Sequence, residues 1–388
     1  MRKGWEYKKL GEVCCPKSKI QRATKCFGAS DEIAYIDISS IDNSVQEVNS
    51  ITSFTMSNAP SRAQQKVEYG DIIVSTVRPN LKNVALIKQH DSNLVVSSGF
   101  CVLRTTDDIE RNYLFRYITS DIFTQHLMKL TTGANYPAVR DLDVRDSTIP
   151  LPPKSTQLAI VSELDKINEL IRLKKEQLKD FDNLAQSLFY EMFGDPVENE
   201  KGWEVKKLGE VGELARGVSK HRPRNAPELL GGSMPLIQTG DVANSDFYIT
   251  KYSSTYSKLG VEQSRVWEAG TLCITIAATI GKCAILGFTA CFPDSVVGYK
   301  PNNEANTIYM YFIFKNMQKM LEEFAPGVAQ KNINLKILSN LDIPLPPLSL
   351  QHLFAQRIEQ IEREKSEVQK SIQDLETLLA SRMQYWFE

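Results

Sequence analysis

Two segments of the chain carry an apolar stripe that alternates spacings of four and three without a slip. In the first it runs through Ile160, Leu164, Ile167, Ile171, Lys174, Leu178, Phe181, Ala185, Leu188 and Met192. In the second it runs through Phe354, Ile358, Ile361, Lys365, Val368, Ile372, Leu375, Leu379, Arg382 and Trp386. This is an a/d heptad seam, the pattern of helices that pair lengthwise. One seam needs another to cover it, and the chain supplies one more of equal length. At 1.5 Å per residue such a helix makes a rod of about 58 Å. Each seam follows an IPLPP block, at 149–153 and 343–347, whose prolines end any preceding element. Ser155 and Ser349 stand where N-caps are expected.

The seams belong to a longer repeat. GWEYKKLGEV at 4–13 returns as GWEVKKLGEV at 202–211, and each IPLPP is followed by a glutamine, Gln157 or Gln351. One unit of about 190 residues is written twice, long enough for a domain with an appended helix. The linker GDPVENEKGW (194–203) is short. If entry and exit of the second domain lie together, the helices run antiparallel, with one domain at each end of the rod and Met1 near Glu388. That is an approximate two-fold arrangement. The expected register sets Ile160 against Trp386, Ile171 against Leu375 and Met192 against Phe354. Lys174 and Lys365 then fall within the seam, where they are expected to snorkel outward and help fix register.

The centres of the two copies differ in sequence but share an order of elements. Apolar, β-branched runs at 34–39, 71–77, 84–88 and 100–105 read as strands, followed by a helix at about 110–130. Runs at 234–242, 270–277, 282–287 and 296–301 repeat that order before a helix at 304–324. A glycine-containing loop, 133–142 or 327–336, leads into each IPLPP. The predicted fold is α/β (α+β): two tandem mixed domains alternating with two long helices that pair as an antiparallel coiled coil. The division is 1–148 and 199–342 for the domains, and 149–198 and 343–388 for the proline turns and helices.

Charge and chemistry narrow the function. No apolar run reaches 18 residues and MRKGWEYKKL has no export core, so neither a membrane span nor a leader is expected. Seven cysteines with no CxxC pair read as reduced thiols of a cytoplasmic protein. The net charge of −1 conceals basic segments at matching places in the two copies: Lys17, Lys19, Arg22 and Lys25, then Arg216, Lys220, Arg222 and Arg224. They are candidate phosphate contacts, or else an ordinary solvated face. Phosphate-cradling GxxxxGK[ST], GxGxxG and the (N/D)PP(Y/F) tetrapeptide of amino-methyltransferases are all absent from the sequence, and His90, His126, His221 and His352 are scattered. No catalytic residue, metal site or cofactor is expected.

GWE-x-KKLGEV opening each copy and IPLPP with its glutamine closing it, at this spacing and over the whole chain, resemble the specificity subunits of type I restriction-modification systems. The resemblance implies two target-recognition domains, each reading one half of a bipartite double-stranded DNA site. It implies helices that set the spacer and dock two methyltransferase subunits, with restriction/translocase subunits joining them. Adenine-N6 methylation would be the partner's work. Within the centres, Arg78, Asn80 and Lys82 in STVRPNLKN (75–83) are the base-reading candidates of the first copy. The matching strip TIAATIGK (275–282) holds only Lys282, so the two copies should read different bases. Asn135 and Tyr136, and Gln330, Lys331 and Asn332 in the second copy, are further candidates; each also suits a cap or a solvated loop. The alternative is a stand-alone regulatory DNA-binding protein with no modification partner.

Overall fold

A computed structural model describes residues 4–132, 137–277, 279–323 and 333–388. The chain divides into two compact units, Met1–Lys175 with Lys370–Glu388, and Glu176–Gln369. Each unit is a mixed α/β domain carrying half of each long helix.

The repeated blocks at the two ends of each copy meet as paired strands. Glu6–Lys9 runs antiparallel to Thr148–Leu151, and Val205–Lys207 to Asp342–Pro344. The N–H groups of Leu10 and Leu208 donate to the carbonyls of Ser147 and Leu341, each at 2.9 Å. Glu12 and Glu210 accept the N–H of Lys9 and Lys207 at 3.0 and 2.9 Å, closing the short helical turn that follows.

The divergent centres share one topology. In the first unit a four-stranded sheet runs Thr52–Thr55, Glu32–Ile36, Leu94–Ser97, Ala63–Lys66, its central pair parallel. In the second the order is Ser254–Tyr256, Leu230–Leu236, Ala290–Cys291, Val266–Trp267, again with the central pair parallel. Beside it lies an antiparallel set: Phe100–Leu103, Ile72–Ser75, Val84–Leu86 in the first unit. Its counterpart is Val296–Pro301, Leu272–Thr275, Cys283–Leu286, flanked by Gly212–Arg216 and Tyr248–Ile249. Ile72–Ser75 and Leu272–Thr275 are buried at every position, which is why they read as continuous apolar runs.

The helix expected at 110–130 is two helices, Arg111–Ile118 and Asp121–Leu130. Ser120 makes the break: its hydroxyl donates to the Tyr117 carbonyl at 2.6 Å and accepts the Phe123 N–H at 3.2 Å. Its counterpart, Thr307–Glu323, is continuous. The cap assignment at Ser155 and Ser349 also changes. The long helices span Lys154–Phe193 and Leu348–Phe387, so both serines lie inside the first turn. The carbonyls of Pro153 and Pro347 accept the first helical bonds.

The repeated glutamines fasten each helix to its domain. Buried Gln157 accepts the Glu110 N–H at 2.8 Å and donates to the Pro152 carbonyl at 2.9 Å. Buried Gln351 accepts the Asn306 N–H at 2.9 Å and donates to the Pro346 carbonyl at 2.8 Å. The hydroxyls of Tyr113 and Tyr309 reach the carbonyls of Pro150 and Pro344, each at 2.7 Å.

Within each unit the helix halves pair along the expected stripe. In the first, Ile160, Leu164, Ile167, Ile171 and Ile372 are buried and Leu375 and Leu379 partly so. Glu163 accepts from Arg382 and, at 3.1 Å, from the Trp386 indole, and Lys175 meets Glu376 at 2.8 Å. These contacts are what an antiparallel alignment of Ile160 with Trp386 requires. In the second unit Ala185, Phe354, Ile358, Ile361 and Val368 are buried; Leu178, Phe181, Leu188 and Met192 are half-buried. Lys365 departs from expectation. It does not snorkel: only 6% exposed, it places its ammonium 2.7 Å from Asp182 and 3.1 Å from Glu362. Burial pulls its pKa down, yet the bonds to Asp182 and Glu362 more than offset this and raise it above the ordinary lysine value.

Aromatic rings close both units. Phe189 and Phe193 pack on Tyr309 and Phe354, and Phe387 lies 5.3 Å from Tyr113 and 5.5 Å from Tyr117. Trp5 stacks on Trp386 at 6.2 Å, and the Trp203 indole donates to the Phe193 carbonyl at 2.9 Å. All seven cysteines are free thiols, and burial raises Cys14 and Cys283 to about 12. No helix among the described residues is long and apolar enough to cross a membrane.

The Lys365 site yields an ordered pair of outcomes. Asp182→Ala leaves the buried ammonium with Glu362 alone and should lower unfolding stability by about 1–3 kcal/mol. Lys365→Met fills the same space without a charge and should stay within about 1 kcal/mol of the parent. Urea unfolding midpoints of both variants check this; the reverse order would show that the ion pair, not its burial, governs the seam.

Candidate nucleic-acid interface

The first reading loop joins the buried strands Ile72–Ser75 and Val84–Leu86. The Ser75 N–H donates to the Asn83 carbonyl at 2.9 Å, and a single turn, Pro79–Leu81, fills the interval. Arg78 and Lys82 flank that turn at φ +50° and +52°, a left-handed conformation costing about 1–2 kcal/mol per non-glycine residue. Such geometry persists only where the surroundings over-determine it. Here the Ser75 hydroxyl donates to the Val77 carbonyl at 2.8 Å, Asn43 donates to the Leu81 carbonyl at 2.9 Å, and Lys82 meets Asp121 at 2.6 Å. Arg78 and Asn80 are exposed on this rigid turn, whereas Lys82 is half-buried and already paired.

The fold brings two of the sequence-predicted loops together. The Arg78 N–H donates to the Pro137 carbonyl at 2.7 Å, and the Val139 N–H to the Thr76 carbonyl at 2.9 Å. In the second unit the Ile333 N–H donates to the Ile276 carbonyl at 3.1 Å, the same junction. The candidates at those junctions, Asn135 and Tyr136 and then Gln330, Lys331 and Asn332, lie outside the described residues. The second reading loop is built differently. Gly281 takes φ +77°, and the Thr275 hydroxyl donates to the Thr279 carbonyl while accepting the Lys282 N–H at 3.1 Å. Exposed Lys282 lines a cavity of about 280 Å³ with Lys315, Lys365, Asp182, Asp246 and Glu362.

The basic segments are tied to the same turns in both units. Thr76 donates through its N–H and its hydroxyl to the Gly99 carbonyl, each at 2.9 Å, and Gly99 adjoins Ser98 of a groove that Lys17, Arg22 and Lys25 line. The Ile276 N–H donates to the Ser295 carbonyl at 3.1 Å, next to Asp294, which Arg224 meets at 2.7 Å. The availability of charge differs. Lys19, Arg22 and Lys25 are exposed and make no ion pair among the described residues. Lys17 lies 3.3 Å from Asp141, which also holds buried Arg145 at 2.8 Å. In the second unit Arg222 spends donors on the carbonyls of Ser219 and His221 and lies 3.9 Å from Asp294. Lys220 is exposed, with its backbone N–H on Gln263 at 2.6 Å, and Arg216 is half-buried in its strand opposite Val297.

Sequence reasoning missed Gln21 and Gln64 in the groove, and Asn43, Gln263 and Asp294 as positioning groups. Asn43, Gln263 and Asp294 reach partners about 40 residues away or more, and no local pattern marks such a contact.

The two halves of this arrangement each match one family model, that of the type I restriction modification DNA specificity domain, over residues 2–180 and 200–377. The chain belongs to the type I restriction modification DNA specificity family. Among curated members, it is 21% identical to the type I restriction enzyme HindI specificity subunit of Haemophilus influenzae, over 91% of this chain and 92% of that one. It is also 21% identical to the putative MjaX specificity subunit of Methanocaldococcus jannaschii, over 97% and 92%. A solved chain from work on complex assembly and conformational transition of the type I R-M system superposes with a TM-score of 0.71 at 28% identity, covering 99% of this chain and 97% of that one. The HsdS subunit of Thermoanaerobacter tengcongensis gives 0.50 at 28%, over 100% and 97%. The two matched segments account for two domains of one topology.

Asp294 offers a direct check on the second basic segment. Asp294→Asn should change stability by less than about 1 kcal/mol, as for other surface pairs. It releases Arg222 and Arg224 and should steepen the salt dependence of DNA binding by up to about two counterions. Duplex titrations at several salt concentrations measure the slope; an unchanged slope would show that these arginines do not reach phosphate.

Proposed function

We propose that this chain is the specificity subunit of a type I restriction-modification complex and reads a bipartite DNA target, one half with each domain. The observation that carries this reading is the repeated junction in which one polar reading loop, Arg78–Lys82, and one nearly uncharged loop, 275–282, hang from the same backbone contacts. In this reading the recognition domains are 1–148 and 199–342, and the connecting regions are 149–198 and 343–388. The paired helices set the distance between half-sites and dock methyltransferase subunits. Restriction and translocase subunits complete the assembly, and adenine-N6 methylation from S-adenosylmethionine belongs to the partner.

Three experiments test this. The purified chain should transfer no methyl group from labelled S-adenosylmethionine and cut no DNA, and should direct methylation at a defined sequence once its methyltransferase is added. Methyl transfer by the chain alone overturns the assignment. Arg78→Ala should weaken or relax one half-site by about 1–3 kcal/mol and leave the other unchanged. Mapping of methylated sites in the variant would reveal equal loss at both halves if Arg78 served only as a general phosphate contact. A four-residue insertion after Lys175 advances the following helix by about 6 Å and rotates it by about 40°. With about 3.4 Å per base pair of duplex, a folded, active insertion variant should methylate the same half-sites across a gap one to two base pairs longer. An unchanged gap would show that the helices do not measure the spacer.

A further inference from the structure

The groove beside the first basic segment, about 600 Å³, has a composition that phosphate binding alone does not explain. Lys17, Arg22 and Lys25 line it, and so do the exposed amides of Gln21 and Gln64 and the partly exposed thiol of Cys26. Neighbouring Gln65 serves the backbone: its amide donates to the carbonyls of Ser97 and Phe100 at 3.1 and 2.8 Å, binding the groove to the turn that supports Thr76. Gln64 donates to the Ser61 carbonyl at 2.9 Å through its nitrogen, and its oxygen has no donor among the described residues. Gln21 accepts the Cys26 thiol at 3.2 Å through its oxygen, and its amide hydrogens have no acceptor among the described residues. The groove thus offers an amide donor and an amide acceptor inside a rim of cations.

Resting on the reading that the chain recognises duplex DNA, we infer that this groove is a second base-reading site of the first unit. Arg22 and Lys25 hold backbone phosphates, and Gln21 and Gln64 read the major-groove edge of an adenine, whose N7 accepts and whose N6 amino group donates. Because Gly99 carries Thr76 and Ser98 borders the groove, the site shares its scaffold with the Arg78 turn, and the two read neighbouring positions of one half-site. The matching segment of the second unit is closed on Asp294, so the first half of the target carries more of the phosphate anchoring.

The test uses the full chain assembled with its methyltransferase and a pool of randomised double-stranded DNA. Methylated molecules are sequenced for the parent, Gln21→Ala, Gln64→Ala and Lys25→Ala. Each glutamine variant should lose about five- to one-hundred-fold in discrimination at a single position of one half-site. Lys25→Ala should keep the parental motif and reduce the salt slope by about one. An unchanged motif in both glutamine variants, or equal loss in both halves, overturns the inference. A second measurement needs no substitution: iodoacetamide labelling of Cys26, followed by mass spectrometry, should fall in proportion to the fraction of complex bound to its target. Unprotected Cys26 at saturating DNA overturns the groove assignment and leaves the specificity role standing. A parental complex that selects no motif at all overturns the specificity role itself.

Discussion

Neither domain of this chain finishes its own core. Phe387, at the end of the second long helix, fills the space between Tyr113 and Tyr117 of the first unit. Phe189 and Phe193, at the end of the first, fill the space under Tyr309 and Phe354 of the second. A helix of 40 residues that leaves its own domain at a proline turn exposes a seam along its whole length. Burying that seam and the terminal rings is one requirement, met within each unit where the two helix halves lie side by side in opposite directions. The stacking of Trp5 on Trp386 and the pairing of Glu163 with Arg382 follow from it.

That constraint was legible because it is periodic. The a/d stripe names the buried mid-helix positions from Ile160 to Ile171 and from Phe354 to Ile372, but toward the helix ends it names half-buried Leu188, Met192 and Trp386 where Phe189, Phe193 and Phe387 are the buried rings; the duplicated end blocks are paired strands. The strands of the centres were legible as apolar runs, but their common topology was not: two sequences that differ strongly converge through backbone ladders, which carry no side-chain signature. Local rules failed where a distant partner overrode them. Ser155 and Ser349 have cap chemistry, yet the glutamines behind them are the groups that reach the domain. Ser120 was passed over inside an apolar stripe, although Ser120–Asp121 has the composition of a helix start. Lys365 looked like an outward-reaching chain because its partner Asp182 is 183 residues away. Of the candidate interface, the two loops and the basic segments were legible, and their mutual tethering was not.

The two candidate reading loops are held in shape by different means. The first loop holds Arg78 and Lys82 in left-handed conformations without glycine, and fixes them with side-chain bonds from Ser75, Asn43 and Asp121. The second uses Gly281 for its left-handed turn and a threonine hydroxyl as internal brace, leaving few polar groups to present. One is a stiff, charged turn; the other is braced internally and nearly uncharged.

The frame and the centres also divide the labour of folding from that of recognition. Gln157, Gln351, Tyr113 and Tyr309 all terminate on backbone carbonyls or N–H groups, as do the bonds from Thr76, Val139, Ile276 and Ile333 that suspend the reading loops. A backbone acceptor is present whatever side chain occupies the position. Substitutions within a loop therefore leave these supports intact, provided the φ/ψ values they impose remain accessible. Between the two copies the end blocks keep their residues and the centres do not, and the side chains that join end block to centre, Tyr113 with Tyr309 and Gln157 with Gln351, are the same in both.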